Sequence, residues 1–197
     1  RKETFGVSGP HIKVRLFGGW GYGKDILNAK DWVKQSYGGG VPMGADLPTM
    51  PAGKGTAPKF VVWAVKDPAS ANLDRIQIIK GWTQNGQSFE KIFDVAWSGD
   101  RKLNKWTGRV PAIQSTVDLE KATYSNSVGA SELKTVWVDP EFDASQHAFY
   151  YARVLEIPTP RWTLIQAVKA GLPPPDVVPL TGQERAWTSP IWYVPGE

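Results

Sequence analysis

The stretch "DRIQIIKGWTQNGQSFEKIFDVAW" (residues 74–97) decides the fold class. Its first part alternates apolar and polar side chains, which is typical of a β-strand with one dry face. Asn85-Gly86 follows, a dipeptide that strongly favours a two-residue hairpin turn. The residues after the turn form a return strand. The stretch therefore predicts an antiparallel β-hairpin.

Strand-like segments recur on both sides of this hairpin. In "HIKVRLF" (residues 11–17), Ile12, Val14 and Leu16 are expected to face one way and the polar residues the other. Pro190 interrupts the last segment and has no N–H to donate, so that strand should lie at an edge or bulge there. About seven strands with little helix predict a mainly β fold, an antiparallel β-sandwich. The other strand-like segments are residues 59–66, 132–139, 147–157 and 185–194.

Short helices and one long loop interrupt the strands. A helix is predicted over residues 28–37. A second is predicted over residues 163–170, where Thr163 and Gln166 have capping-box spacing. Residues 38–58 are expected to form a long irregular loop, and loops of this length are usually functional or mobile.

Tryptophan is the compositional outlier, with 10 copies in 197 residues. Broad rings fill the space between two packed sheets, so strand tryptophans such as Trp63, Trp137 and Trp187 are expected mainly in the core. The alternative is that some of them are exposed platforms for a ligand. A carbohydrate-binding module that stacks sugar rings on exposed tryptophans is therefore a rival interpretation.

Charge and hydropathy argue against nucleic-acid and membrane partners. The net charge is only +4, and the charges are scattered. The densest cluster, "GDRKLNKW" (residues 99–106), is interpreted as a solvated hairpin tip. No apolar run is long enough to cross a bilayer. The absence of cysteine suits the cytoplasm and the periplasm equally.

Metal and catalytic motifs are sparse. His11 and His147 are the only histidines, whereas a zinc site needs three or four ligands. "DPEFD" (residues 139–143) could turn oxygens towards Ca²⁺, although a structural turn is the simpler interpretation. We predict no catalytic residue, metal ligand or cofactor in this chain.

Polar and aromatic residues concentrate near the end of the sequence. Arginine beside tryptophan can clamp an anion or stack on a ring. Two interpretations stay open: a buried Arg–Glu network that pins a helical insertion (residues 158–182), or a surface that faces a partner domain. The candidate binding or domain-junction residues are Arg153, Glu156, Arg161, Trp162, Glu184, Arg185 and Trp187.

Three long segments carry a family resemblance: residues 1–20, 139–162 and 183–195. Their sequences, "RKETFGVSGPHIKVRLFGGW", "DPEFDASQHAFYYARVLEIPTPRW" and "QERAWTSPIWYVP", resemble the C-terminal region of a bacterial family of unknown function, the DUF family numbered 3604. The resemblance implies that the sandwich is immunoglobulin-like. Relatives often have arginine where this chain has His11, which puts any role of that side chain in doubt.

The resemblance also implies a missing neighbour. Full-length members carry an upstream PHP-type domain, a metal-dependent phosphoesterase-like hydrolase. Residues 1–10 are then expected to be a link from that catalytic domain, and residues 11–197 an accessory sandwich that is not catalytic alone. Zn or Mn would be bound by the upstream domain, which is the expected partner. A homo-oligomer is also compatible with the sequence, and a periplasmic or secreted location is slightly favoured over a cytoplasmic one.

Overall fold

The computed structural model describes residues 2–51, 57–174 and 176–196. A few residues of the predicted segments lie outside the described residues. They are residue 1 of the link, residues 52–56 of the long loop, residue 175 of the helical insertion and the C-terminal residue 197. In the described part, the elements are β1 (Phe5–Val7), β2 (Lys13–Gly19), α1 (Trp32–Gly39), β3 (Gly40–Pro42), β4 (Lys59–Val65), β5 (Leu73–Gln84), β6 (Gln87–Trp97), β7 (Glu132–Val138), β8 (Ala148–Glu156), β9 (Thr159–Pro160), α2 (Trp162–Ala170), β10 (Thr181–Gly182), β11 (Arg185–Thr188) and β12 (Ile191–Tyr193).

Two antiparallel sheets enclose the core, which confirms the predicted mainly β sandwich. The larger sheet has the order β1-β11-β8-β5-β6, with β12 also paired to β8, and the smaller has the order β3-β2-β4-β7. Ile12, Val14 and Leu16 are buried in the core, as their alternation predicted. Ile78 and Val154 of the larger sheet belong to the same buried cluster. The apolar faces of both sheets are thus removed from water together.

The hairpin predicted from residues 74–97 is confirmed. β5 and β6 pair from Arg75 and Trp97 down to the turn. Asn85 and Gly86 have φ values of 52° and 75°, as a turn with two left-handed central residues requires. Pro190 also acts as expected, because it separates β11 from β12, which pair with different parts of β8.

Both helices exist, but their predicted starts were wrong. Residues 26–28 form a separate 3-10 turn ending at an extended Ala29, so α1 begins later, at Trp32. The capping box at the start of α2 is absent, because Arg161 is the N-cap residue and its side chain makes no capping bond. The predicted end is right: Gly171 is left-handed, and its N–H donates to the carbonyls of the last turn.

Residues 99–106 do not form the predicted hairpin tip. They lie in the long connection between β6 and β7, which carries the chain from one sheet to the other. Within this segment, Arg101 is half-buried and its guanidinium lies 2.6 Å from the Asp74 carboxylate. The charge cluster therefore partly anchors the connection rather than only facing water.

The tryptophans divide between core and surface. Trp137 packs on Phe60 and against the main core, as expected. Trp63 and Trp187 instead lie on the outer faces of their sheets, and there Trp63 packs against a second buried cluster that includes Phe17 and Val61. Neither ring lies between the sheets, because side chains point to opposite faces at successive strand positions.

Candidate functional site

Three of the predicted junction residues share one surface of the larger sheet. Ala152 and Ala186 fill the core from β8 and β11, so Arg153, Arg185 and Trp187 point to the outer face. Trp187 pairs with Arg153 on one side and with Gly6 of β1 on the other. We call the surface formed by Gly6, Arg153, Arg185 and Trp187 the β1–β11–β8 face.

The predicted link is tied to this face by side-chain contacts. The Ser8 hydroxyl donates to the Glu184 carboxylate and accepts from the Arg185 N–H at 2.9 Å. A Cβ added at Gly6 would meet no atom within 4 Å, so the face is open there. Residues 5–7 thus belong to the sheet, and they carry the link directly past the candidate junction.

The two arginines of this face are held by neutral partners. Arg153 donates to the Gln77 side chain at 2.8 Å, and Arg185 donates to the Gln183 carbonyl at 3.2 Å. The Arg185 guanidinium also lies 5.9 Å from the Trp187 ring. Within residues 2–51, 57–174 and 176–196, no ion pair joins any two of the seven candidate residues. The described residues therefore do not form the Arg–Glu network that was one of the two interpretations of this region.

A different charged network is buried beside this face. Arg75 donates to Asp74 at 2.9 Å and to Asp94 at 3.2 Å, and both carboxylates are fully shielded from solvent. Burial alone would raise the pKa of Asp94, but hydrogen bonds from the Gln77 side chain and the Val110 N–H outweigh it, with help from nearby arginines, and lower the pKa. The network fastens the β6–β7 connection to the sheet. Sequence reasoning missed it, although the charged pair at 74–75 inside a strand was a signal.

Glu156 lies at the end of β8 and is completely buried. One carboxyl oxygen accepts from the Ser70 hydroxyl at 2.9 Å, and the other has no partner among the described residues. Burial raises the pKa of Glu156 to about 7, and Glu184 and Asp67 add to the effect. The carboxyl is therefore an internal titrating group rather than a contact available to another domain.

The last two predicted residues lie where the helical insertion leaves the sandwich. Arg161 is the residue before α2, and its N–H donates to the Leu180 carbonyl. Trp162 begins the helix and is 69% exposed. Both are exposed residues of the insertion, and neither is on the strands that form the β1–β11–β8 face.

"DPEFD" forms a structural turn. Asp139 accepts from the buried Lys80 ammonium at 2.7 Å and from the Tyr150 hydroxyl at 2.8 Å. Its other oxygen accepts from the Glu141 N–H, and Asp143 caps the next turn at Ser145. Lys80 was not identified from sequence, although it interrupts the apolar alternation of β5. Among the described residues, no three His, Asp or Glu side chains are grouped to hold a metal ion.

A cleft lies between the edges of the two sheets, and we call it the β1–β2 groove. Its volume is about 660 Å³. Phe5 of β1 and Val14 and Met43 line its inner side, and Trp32 and Trp63 line its outer side. The two indole rings are 4.8 Å apart. Lys13 and Arg15 place positive charge along the same edge.

A second cleft of about 490 Å³ lies at one end of the larger sheet, and we call it the aromatic cleft. Trp82 stacks on Phe89 with ring centroids 5.5 Å apart, and Phe149 lies 5.2 Å from Trp192. Polar side chains at its rim come from Thr83, Ser88, Glu90 and His147. The combination of flat apolar rings and a few polar groups is typical of small-molecule sites.

The described helices are too short and polar to cross a membrane. No curated protein and no solved structure matches the chain. A family model described as "Protein of unknown function (DUF3604)" matches residues 1–195. Because that match covers nearly the whole sequence, the chain belongs to this family.

Proposed function

We propose that this chain is the accessory C-terminal sandwich of a PHP-type, metal-dependent phosphoesterase-like hydrolase, and that it is not catalytic alone. The observation that carries the proposal is the β1–β11–β8 face. The strand expected to lead from an upstream domain pairs with β11, which carries Arg185 and Trp187, and Arg153 lies on the next strand, β8. All three are residues expected at the junction.

The arrangement suits packing against a neighbouring domain. The open space above Gly6 leaves room for a partner's side chains, and Trp187 offers apolar area next to two arginines. In the proposal, this surface closes against the upstream domain and shapes the mouth of its active site. A Zn or Mn ion held by that domain would supply Lewis-acid chemistry for phosphoester hydrolysis. The immunoglobulin-like topology and a periplasmic or secreted location belong to the same proposal.

The first test compares this chain with the gene product that includes the sequence upstream of it. Both are assayed on p-nitrophenyl phosphate and bis(p-nitrophenyl) phosphate with Mn²⁺ or Zn²⁺. We expect turnover by the longer protein alone. Turnover by the isolated chain would contradict the proposal, and so would inactivity of the longer protein with both metals.

A second test addresses the junction itself. Gly6→Leu fills open space on the β1–β11–β8 face, and Gly21→Leu fills open space at another exposed position, as a matched control. Both variants of the isolated chain should unfold like the parent. In the longer protein, only Gly6→Leu should lower the melting temperature or the activity. Equal behaviour of the two variants there would exclude a junction at this face.

The aromatic cleft favours a second candidate function, carbohydrate binding. Trp192 is 45% exposed, and its ring can offer a flat apolar face to a sugar, while the rim supplies hydrogen-bonding groups. Cello-, xylo- and chito-oligosaccharides can be titrated against the protein by calorimetry. Trp192→Ala should abolish binding, and Trp106→Ala, which removes a 96% exposed ring outside the cleft, should not. Absence of heat with every sugar would reject this candidate.

A further inference from the structure

Trp106 has the most exposed large apolar side chain among the described residues, with 96% of its surface open to water. It lies in the connection between β6 and β7, close in sequence to Leu103, which is 43% exposed. Single exposed apolar side chains are common on protein surfaces. Trp106 differs from most of them because an ordered turn, residues 104–109, presents it, and we call this segment the Trp106 turn.

Hydrogen bonds within the Trp106 turn fix its backbone. The Asn104 N–H donates to the Arg109 carbonyl at 2.9 Å, and the Gly108 N–H donates to the Asn104 carbonyl at 2.8 Å. The Asn104 side-chain oxygen also accepts from the N–H groups of Trp106 and Thr107, at 2.8 and 3.1 Å. The turn is therefore organised before any partner is bound, which reduces the entropy lost on docking.

The base of the turn is fastened to the larger sheet through buried carboxylates. The Arg101 guanidinium lies 2.6 Å from Asp74, and Arg109 donates to Asp94 at 3.2 Å. The Val110 N–H donates to the same Asp94 carboxylate at 2.8 Å. Both carboxylates are fully shielded from solvent. The two arginines of this segment thus hold the turn in place.

The two lysines of the segment have a different environment. Lys102 and Lys105 are exposed, and neither forms an ion pair with any residue that the structure describes. The turn therefore presents an indole together with two cations that have no such partner. A complementary surface would combine an apolar pocket for the ring with carboxylates at its rim. Tryptophan is among the residues that contribute most at the centre of protein interfaces.

A row of side chains connects this turn to the β1–β11–β8 face. Its members lie at directly paired positions of β6, β5, β8 and β11, and they are Asp94, Gln77, Arg153 and Trp187. Gln77 donates to Asp94 at 2.6 Å and accepts from Arg153 at 2.8 Å. Paired residues share one face of a sheet, so the row runs along the outer face from the base of the turn to Trp187.

The length of this row allows one partner to contact both of its ends. Three strand spacings separate β6 from β11, which is roughly 14 Å, whereas a small domain is about 30 Å across. A domain that covers the β1–β11–β8 face can therefore also contact the Trp106 turn. A lipid surface suits the turn less well, because membrane binding scales with the apolar area inserted and the turn offers little beyond one indole.

We propose that Trp106 anchors this chain to the upstream domain by inserting its indole ring into an apolar pocket of that domain. Lys102 and Lys105 would lie opposite carboxylates at the rim of the pocket, because opposite charges across an interface favour the correct orientation. The contact would extend the β1–β11–β8 junction across the outer face of the larger sheet. This inference rests on the proposed function, since the partner is the upstream domain proposed there.

Hydroxyl-radical footprinting with mass spectrometry tests the contact without relying on activity. The oxidation rate of Trp106 is compared between this chain and the gene product that includes the upstream sequence. We expect oxidation to be at least about tenfold slower in the longer protein, because the centre of an interface excludes water. Trp63 is the control, since it lies on the outer face of the smaller sheet, and its oxidation should be the same in both proteins.

Charge reversal tests the acidic rim. Lys102→Glu with Lys105→Glu should bring the oxidation of Trp106 in the longer protein to within about twofold of its rate in the isolated chain. Lys24→Glu with Lys30→Glu makes the same change in net charge at two other exposed positions and should leave Trp106 protected. Circular dichroism of both double variants shows whether they fold like the parent. Equal protection of Trp106 in the two double variants would overturn the proposed acidic rim.

Three further results would overturn the proposal. The first is equal oxidation of Trp106 in the isolated chain and the longer protein. The second is protection in the concentrated isolated chain together with a dimer in sedimentation, because the occupant would then be a second copy. The third is protection of Trp106 only when phosphatidylglycerol vesicles are added, because the turn would then bind a membrane.

The footprint and the hydrolase assay can fail separately. A longer protein that hydrolyses phosphoesters while Trp106 stays exposed would overturn this inference alone. Protection of Trp106 in a longer protein that is inactive with both metals would support the docking contact and contradict the hydrolase proposal.

Discussion

Replacement of Glu156 by Gln should stabilise the chain at pH 8 and have much less effect at pH 5. The Glu156 carboxyl is fully buried, with one oxygen accepting from Ser70 and the other without a partner in the described structure. Glu184 and Asp67 raise its pKa further, and Lys66 opposes them. Ionisation of Glu156 is therefore unfavourable in the folded state. Glutamine resembles the protonated acid in shape and charge.

Glu156 destabilises the folded chain at high pH because folding raises its pKa. The pKa of Glu156 is about 7 in the folded chain against an ordinary value of 4.5. The folded state therefore binds more protons between these values, and stability falls as the pH rises through that window. This pKa difference corresponds to about 3 kcal/mol of lost stability once Glu156 is ionised in both the folded and the unfolded chain. About 2.5 kcal/mol of the loss develops between pH 5 and pH 8. For a chain of this length, that is roughly 6–12 °C in melting temperature at pH 8.

Urea denaturation at several pH values between 5 and 8, followed by tryptophan fluorescence, measures the effect. The parent should lose stability across this range, and Glu156→Gln should lose much less. Glu120→Gln, at an exposed position, is the matched control and should keep the parental slope. The lowered pKa of Asp94 adds stability that disappears only in more acid solution, so it does not mask the result. A parent with flat stability, or a variant with the parental slope, would refute this account of Glu156.

Three further predictions concern stability and use the same urea denaturation. Lys80→Met leaves the Asp139 carboxylate buried without its cation and should lower the free energy of unfolding by about 3–5 kcal/mol. Adding Asp139→Asn should restore most of that loss, and equal losses in the single and double variants would contradict the pairing. Gly81→Ala would bring a Cβ to 2.3 Å from an aromatic ring on β8 and should cost about 1–3 kcal/mol. Gly86→Ala must adopt a φ of 75° and should cost about 1–2 kcal/mol. Gly6→Ala, in open space, is the control and should change stability by less than about 0.5 kcal/mol. A loss at Gly6 as large as at Gly81 would contradict the steric explanation.

The helices show where local sequence signals compete. Gly171 ended α2 as predicted, since a left-handed residue with no Cβ is a strong stop. The predicted helix starts were wrong because residues that can cap a helix are common in the sequence, and each helix has only one N-cap position. Thr163 lies inside α2, and its hydroxyl is buried without a partner among the described residues.

The candidate sites were predicted less completely than the strands. The pattern near the C-terminus identified Arg153, Arg185 and Trp187, which the sheet brings together. The same pattern also included Glu156, whose side chain is buried at the end of β8. The sequence of a strand does not show which residues cover the end of that strand. The β1–β2 groove could not be predicted, since it is formed by two strands that follow each other in sequence but join different sheets.

The sequence alone determined the positions of the longer strands, the hairpin at Asn85-Gly86 and the inward set of β2, because alternation and turn preferences act over a few residues. The short strands β1, β3, β9 and β10 were not predicted, since they lie in the predicted link, loop and insertion. Tertiary structure decided which strands became neighbours. It placed β8 between β5 and β11 and buried Lys80 against Asp139. These outcomes depend on contacts between residues far apart in the chain. The local alternation of apolar and polar residues does not show which distant strand or loop packs against each face of a sheet.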